Sequence, residues 1–85
     1  MNIVYTQGFK KKFERLSEKI QFQFQKRIEL FVENPKNQLL QNHPLKGNLA
    51  GLRAFSVTGD CRVIYQIIDH STIKLMNIGT HNQVY

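Results

Sequence analysis

The chain has 85 residues, of which 41% are hydrophobic and 21% charged, with twelve Lys and Arg against six Asp and Glu and a net charge of +6. That composition is globular, and the length allows one domain with a thin core that buries about 60–65% of its unfolded surface. It excludes a helix that crosses a bilayer, because no apolar run approaches roughly 18–20 residues, and the start MNIVYTQGF shows no signal-peptide pattern. The single cysteine, Cys61, can form neither an intramolecular disulfide nor a cysteine-based zinc site, which points to a reduced, cytoplasmic setting. The positive charge favours an anionic partner without choosing one.

The first element is a short strand at NIVY. Thr6 then caps a helix whose apolar face is Phe9, Phe13 and Leu16. Ser17 caps a longer helix with Ile20, Phe24, Ile28, Phe31 and Val32 on one face; Phe22 lies off that stripe and is expected to touch the first helix. Asn34-Pro35 ends it, because the residue before proline disfavours helical angles. The stretch NPKNQLLQNHPLKGNLAG reads as a connecting loop. From Leu52 the period becomes two, and LRAFSV, RVIYQIID and STIKLMNI read as three antiparallel strands joined by turns at residues 58–61 and 69–72.

Four-residue turns sort the side chains. Leu52, Ala54, Ser56, Val63, Tyr65, Ile67, Met76 and Ile78 share one face, expected to seat the helices. Arg53, Phe55, Val57, Arg62, Ile64, Gln66, Leu75 and Asn77 share the other, a mixed surface suited to binding. The expected architecture is α+β and two-layered: an N-terminal strand and a helical hairpin packed on a mainly antiparallel sheet with a three-stranded C-terminal meander, all in one domain, 1–85.

The segments HPLKGNLAGLRAF, GDCRVIYQIID and IGTHNQVY, in that order and spacing, resemble the RelE/ParE superfamily of bacterial type II toxins, and within it the RelE-like and YafQ-like messenger-RNA interferases. The resemblance implies ribosome-dependent cleavage of messenger RNA: a 2′-hydroxyl attacks its own 3′-phosphate and leaves a 2′,3′-cyclic phosphate and a 5′-hydroxyl. It implies no metal or other cofactor, no membrane, and a cognate antitoxin protein as partner. ParE-like members inhibit DNA gyrase instead, and a degenerate member would bind its antitoxin without chemistry.

Such a reaction needs a group to take the 2′-hydroxyl proton, a cation to hold the phosphorane, and an acid for the leaving 5′-oxygen. His81 stands where the family carries histidine or arginine after the last strand, and histidine as a residue type can act as acid or base; the bland reading is an exposed terminal histidine. Arg62 matches a site arginine of the RelE-like branch, and a guanidinium makes bidentate contacts to phosphate; the bland reading is a strand-edge charge. Tyr85 can stack on a base or touch a phosphate, or fold back on the core.

His43 and Asp60 match site positions of the YafQ-like branch as base or orienter, although Asp60 can equally well just close its turn. Two departures stand out: Ser56 and Cys61 replace a histidine and a tryptophan of that branch, and Arg53 and Phe55 replace a lysine pair of the RelE-like branch. Arg53, Lys46, Lys10, Lys11 and Lys12 are expected to meet RNA phosphates, each singly also readable as a solvated charge. No two of His43, His70 and His81 have a ligand spacing, so a metal site is not expected.

Overall fold

The computed structural model describes residues 1–85. In chain order these are β1 (Asn2–Tyr5), α1 (Gln7–Glu14), α2 (Glu18–Glu33), β2 (His43–Pro44), β3 (Arg53–Ser56), β4 (Cys61–Asp69), β5 (Thr72–Thr80) and α3 (His81–Val84). Single 3₁₀ turns stand at Gln38–Leu40 and Gly47–Leu49. The five strands form one sheet in the order β1-β5-β4-β3-β2. β1 runs parallel to β5, and all other neighbours are antiparallel. The α+β class, the helical hairpin and the three-stranded meander are as expected. The loop contributes an extra edge strand, β2, which Pro44 can join because a proline at a sheet edge forfeits no ladder bond.

Both predicted caps form. Thr6 Oγ1 accepts from the Phe9 N–H at 3.1 Å and donates to the Met76 carbonyl at 3.3 Å, so it ties α1 to β5 as well as starting the helix. Ser17 Oγ accepts from the Ile20 N–H at 3.2 Å. Beneath the helices lies the main core. Phe9, Phe13 and Phe24 form one aromatic group, with ring centroids 5.1–5.9 Å apart. Phe31, Phe55 and Tyr65 form another, at 5.2–5.9 Å. Leu40, Val63, Leu75 and Ile78 fill between them.

Two details of α2 differ from expectation. Phe22 is 60% exposed and does not reach α1; Lys26 Nζ sits 4.7 Å above its ring instead. Val32 is exposed, because one step past Phe31 turns it about 100° away from the core.

The sheet faces also need correction. Five residues, Val57 to Cys61, separate the paired positions Ser56 and Arg62, with the Val57 N–H bonded to the Cys61 carbonyl at 2.8 Å, so Ser56 faces Arg62 and Phe55 faces Val63. That single-residue slip turns β3 over: Phe55 and Val57 go beneath the helices, and Ala54 and Ser56 go to the opposite face. The reason is burial. Phe55 gives the core far more apolar area than Ala54. A bulge in the β4–β5 pairing, where Ile64 faces Asn77 but Tyr65 faces Leu75, puts Leu75 in the core and Met76 on the other side. Ile67, expected under the helices, is 55% exposed.

Candidate active site

The face turned away from α1 and α2 carries a second, small core of Ala54, Ile64 and Val84, edged by Leu45, Leu52 and Met76. Val84 belongs to α3, so the end of the chain folds over this face. The sequence shows no apolar period from which this four-residue helix could be predicted. A capping pattern, Thr80-x-x-Gln83, was nevertheless present: Gln83 Oε1 accepts from the Thr80 N–H at 2.9 Å. Glycine at residue 79 leaves room for this close approach. A Cβ there would stand 2.7 Å from Gln83 Oε1 and 3.2 Å from Gln83 Cβ.

On this short helix His81 and Tyr85 are four residues apart and share a side. Their rings meet edge-to-face with centroids 4.5 Å apart, and both are exposed. Partial burial raises the Tyr85 phenol above its ordinary range, against the opposing charge of Arg62 nearby.

Arg62, half-buried, is fixed by the β3–β4 hairpin. Its Nη1 donates to the carbonyls of Thr58 at 2.9 Å and Cys61 at 3.2 Å and to Ser56 Oγ at 3.4 Å. Ser56 Oγ in turn donates to the Thr58 carbonyl at 2.7 Å, which leaves its lone pairs for Arg62. One nitrogen of the guanidinium is thus occupied by the protein. Nε and Nη2 have no partner within the fold and remain available to an anion. The buried Cys61 thiol is pushed up mainly by its burial, with Arg62 opposing and Asp60 adding to the shift.

Asp60 is exposed in the same hairpin. Its N–H, like that of Cys61, bonds Thr58 Oγ1, at 3.3 and 3.0 Å, so the residue does close the turn; its carboxylate accepts no hydrogen bond from the protein. His43 lies on β2 opposite Ala54, which is opposite Ile64, so it shares the face that α3 covers. Its Nδ1 is 2.8 Å from the Gln41 carbonyl. A carbonyl only accepts, so Nδ1 carries the proton and Nε2 of the neutral ring presents a lone pair. Gln41 itself has φ +48°, a left-handed conformation that few non-glycine residues adopt, and that conformation orients the carbonyl.

The fold therefore brings Arg62, His81, Tyr85 and Asp60 to one end of this face, with His43 on the same face at the β2 edge. Lys46 is exposed in the β2–β3 connection. Arg53 is not brought here: it lies on the other side of the sheet, where its Nε bonds Asn42 Oδ1 at 3.1 Å and the Tyr65 hydroxyl at 3.2 Å. Lys10, Lys11 and Lys12 are exposed on α1, with the sheet between them and Arg62. Ser56, Gly79, Gln83 and Gln41, which hold the others in place, were not identified as site residues. No three His, Cys, Asp or Glu side chains come together in a group that could hold a metal ion.

Comparison with known proteins bears on this arrangement. A family described as "Bacterial toxin of type II toxin-antitoxin system, YafQ" matches residues 1–85. No curated protein matches the chain in sequence. Among solved structures, YafQ from E. coli strain BL21(DE3) superposes with a TM-score of 0.79 at 22% identity, covering 99% of this chain and 97% of that one. A YoeB/ParE toxin from Agrobacterium tumefaciens gives 0.78 at 21%, covering 95% and 99%. A chain of the E. coli DinJ-YafQ toxin-antitoxin complex gives 0.75 at 22%, covering 99% and 96%. At these identities the structural likeness establishes the fold.

Proposed function

This chain belongs to the YafQ family of bacterial toxins of type II toxin–antitoxin systems, and from that premise we propose that it is an endoribonuclease that cuts messenger RNA on the ribosome and is restrained by an antitoxin protein. The observation that carries the chemistry is Arg62: a guanidinium pinned through one nitrogen, with two others free, beside a histidine–tyrosine pair. Fixed donors aimed at developing charge are what phosphoryl chemistry requires, since they need no reorganisation as the charge appears.

In this reading a 2′-hydroxyl attacks the adjacent 3′-phosphorus and gives up its proton to His43 Nε2 or to the Asp60 carboxylate. Arg62 Nε and Nη2 hold the equatorial oxygens of the phosphorane. The bond from phosphorus to the 5′-oxygen breaks, and protonated His81 delivers the proton that this oxygen needs. The products are a 2′,3′-cyclic phosphate and a 5′-hydroxyl. Tyr85, edge-on to His81, positions the substrate by stacking or by its hydroxyl. Lys46 adds phosphate contacts at the rim. The basic residues of α1 contribute long-range attraction to RNA, which weakens with salt.

The test is growth arrest on induced expression. His81→Ala and Arg62→Ala are each expected to relieve arrest while far-ultraviolet dichroism and thermal unfolding show a folded protein. A folded His81→Ala variant that arrests growth as strongly as the parent removes His81 from the chemistry and favours a non-nuclease target such as gyrase.

A further inference from the structure

On the helix side of the sheet, away from Arg62, a cleft of about 530 Å³ opens between the Pro35–Asn42 loop and the β4–β5 hairpin. We propose that this cleft docks an acidic, aliphatic segment of a protein partner, anchored by a carboxylate on Arg53. The inference rests on the reading of this chain as a toxin held by a protein partner, and is independent of messenger cleavage.

The anchor is unusually fixed for a surface arginine. Tyr65 Oη donates to Asn42 Oδ1 at 2.8 Å, and Asn42 Nδ2 donates to the Pro35 carbonyl at 3.1 Å. Arg53 Nε completes the group by bonding both Asn42 Oδ1 and Tyr65 Oη. Held through Nε, the guanidinium has lost its freedom before any ligand arrives, while both terminal nitrogens lack a partner within the fold. A pre-organised fork of this kind suits a planar carboxylate.

Charge around the cleft points the same way. Lys36 stands exposed at its rim. The one carboxylate in its lining, Asp69, is engaged elsewhere: Oδ1 accepts from the Ser71 N–H at 2.8 Å and the Ser71 hydroxyl at 3.0 Å. Arg53 and Lys36 therefore outnumber the single carboxylate of the lining, Asp69, and leave the cleft with an excess of positive charge, on a chain whose net charge is +6.

The walls argue for a peptide over a nucleotide. Met1 is 52% and Ile67 55% exposed, beside buried Ile73, so the cleft offers aliphatic surface that the fold leaves uncovered. Phe31 and Tyr65 are buried in the core, so the exposed His70 imidazole at the hairpin end is the one open ring, and the cleft has no pair of rings between which a base could be held. A leucine or isoleucine flanking the anchoring Glu or Asp would cover Ile67 and Met1. Because Arg53 and Tyr65 alternate along their strands with Ala54 and Ile64, this cleft and the Arg62 site lie on opposite faces, and a partner seated here leaves Arg62 uncovered.

The experiment pans a random-peptide display library on the folded full-length chain, synthesises the enriched peptides, and maps them by ¹⁵N chemical-shift perturbation. Adenosine monophosphate is titrated as a separate arm. The expected result is a consensus of Glu or Asp next to Leu, Ile or Val, with shifts at Arg53, Ile67 and Ile73. Affinity should fall roughly 10- to 100-fold in Arg53→Gln and about twofold to fivefold in the surface variant Lys36→Glu. If Arg53→Gln fails to fold, Lys36→Glu carries the test.

Absence of enrichment, peptides without an acidic residue, shifts confined to other surfaces, or affinities unmoved by both variants would each overturn the proposal. Shifts of the same resonances by adenosine monophosphate, with the peptides silent, would overturn it in favour of a nucleotide. Messenger cleavage by the parent protein is assayed in parallel, so that peptide binding without cleavage, or cleavage without peptide binding, assigns the failure to one reading or the other.

Discussion

Replacing Gly79 with alanine should loosen the docking of the C-terminal helix without unfolding the domain. The new Cβ would lie 2.7 Å from Gln83 Oε1 and 3.2 Å from Gln83 Cβ. The oxygen can swing away, but only by giving up its bond to the Thr80 N–H, a helix-cap loss worth about 0.5–2 kcal/mol. The Cβ contact cannot be relieved by side-chain rotation, so α3 must shift by a few tenths of an ångström, and a fraction of the burial of Val84, about 0.5–1 kcal/mol, goes with it. A helix of four residues has no stability of its own to resist this. The total, about 1–3 kcal/mol, lowers the ratio of docked to undocked tail roughly 5- to 150-fold.

Amide exchange at Tyr85, whose N–H bonds the His81 carbonyl at 3.1 Å, and the ring-shifted resonances of His81 and Tyr85 read that ratio directly. Exchange should accelerate by the same factor while the β4 and β5 amides keep their protection. Adding Gln83→Ala removes the oxygen and should make the double variant less than additive. A Gly79→Ala protein whose tail exchanges and resonates like the parent's would refute the argument that close approach at residue 79 seats the site.

Tyr65→Phe should cost about 0.5–1.5 kcal/mol in urea unfolding with an unchanged m-value, because it removes the hydroxyl's bonds to Asn42 Oδ1 and Arg53 Nε, which keep each other as partners, beside a fully buried ring; a neutral result would mean that water replaces the hydroxyl without loss. Leu40→Ala should cost about 2–5 kcal/mol, although Leu40 lies in a segment that reads as loop, since it has no exposed surface and Arg27 holds the adjacent Leu39 carbonyl; a loss below about 1 kcal/mol would show that the site collapses easily. Burial favours the neutral Tyr85 phenol in the docked tail, so that contribution is complete below its unfolded pKa of about 10 and disappears as pH rises through the higher folded value. Tyrosinate absorbance, taken as the difference between the parent and Tyr85→Phe, should therefore titrate above a free tyrosine, and a midpoint at or below the free value would contradict the packing.

The caps, the helix stripes and the order of elements could be read from the sequence because each rests on local chemistry: Thr6 and Ser17 sit where a helix needs an acceptor, and Asn34-Pro35 where it must stop. The faces of the meander could not. Their assignment depends on whether four or five residues separate the last paired position of β3 from the first of β4, and no local preference outweighs the burial of Phe55 over Ala54. Arg62, His81 and Tyr85 stood out through their chemistry and the family resemblance. The residues that hold them did not, because Ser56, Gly79 and Gln83 act through contacts between β3, β5 and α3 that exist only after folding. Arg53 shows the same limit: its residue type suggested phosphate, and its place behind Tyr65 gives it a different neighbourhood.

Messenger cleavage can be read by adding the purified chain to a reconstituted translation reaction and mapping new 5′-hydroxyl ends on the messenger, with naked RNA in a parallel lane. The expected cuts require ribosomes, carry 5′-hydroxyl ends and vanish in Arg62→Ala. An intact messenger, with the protein shown to be folded, would contradict the proposed cleavage.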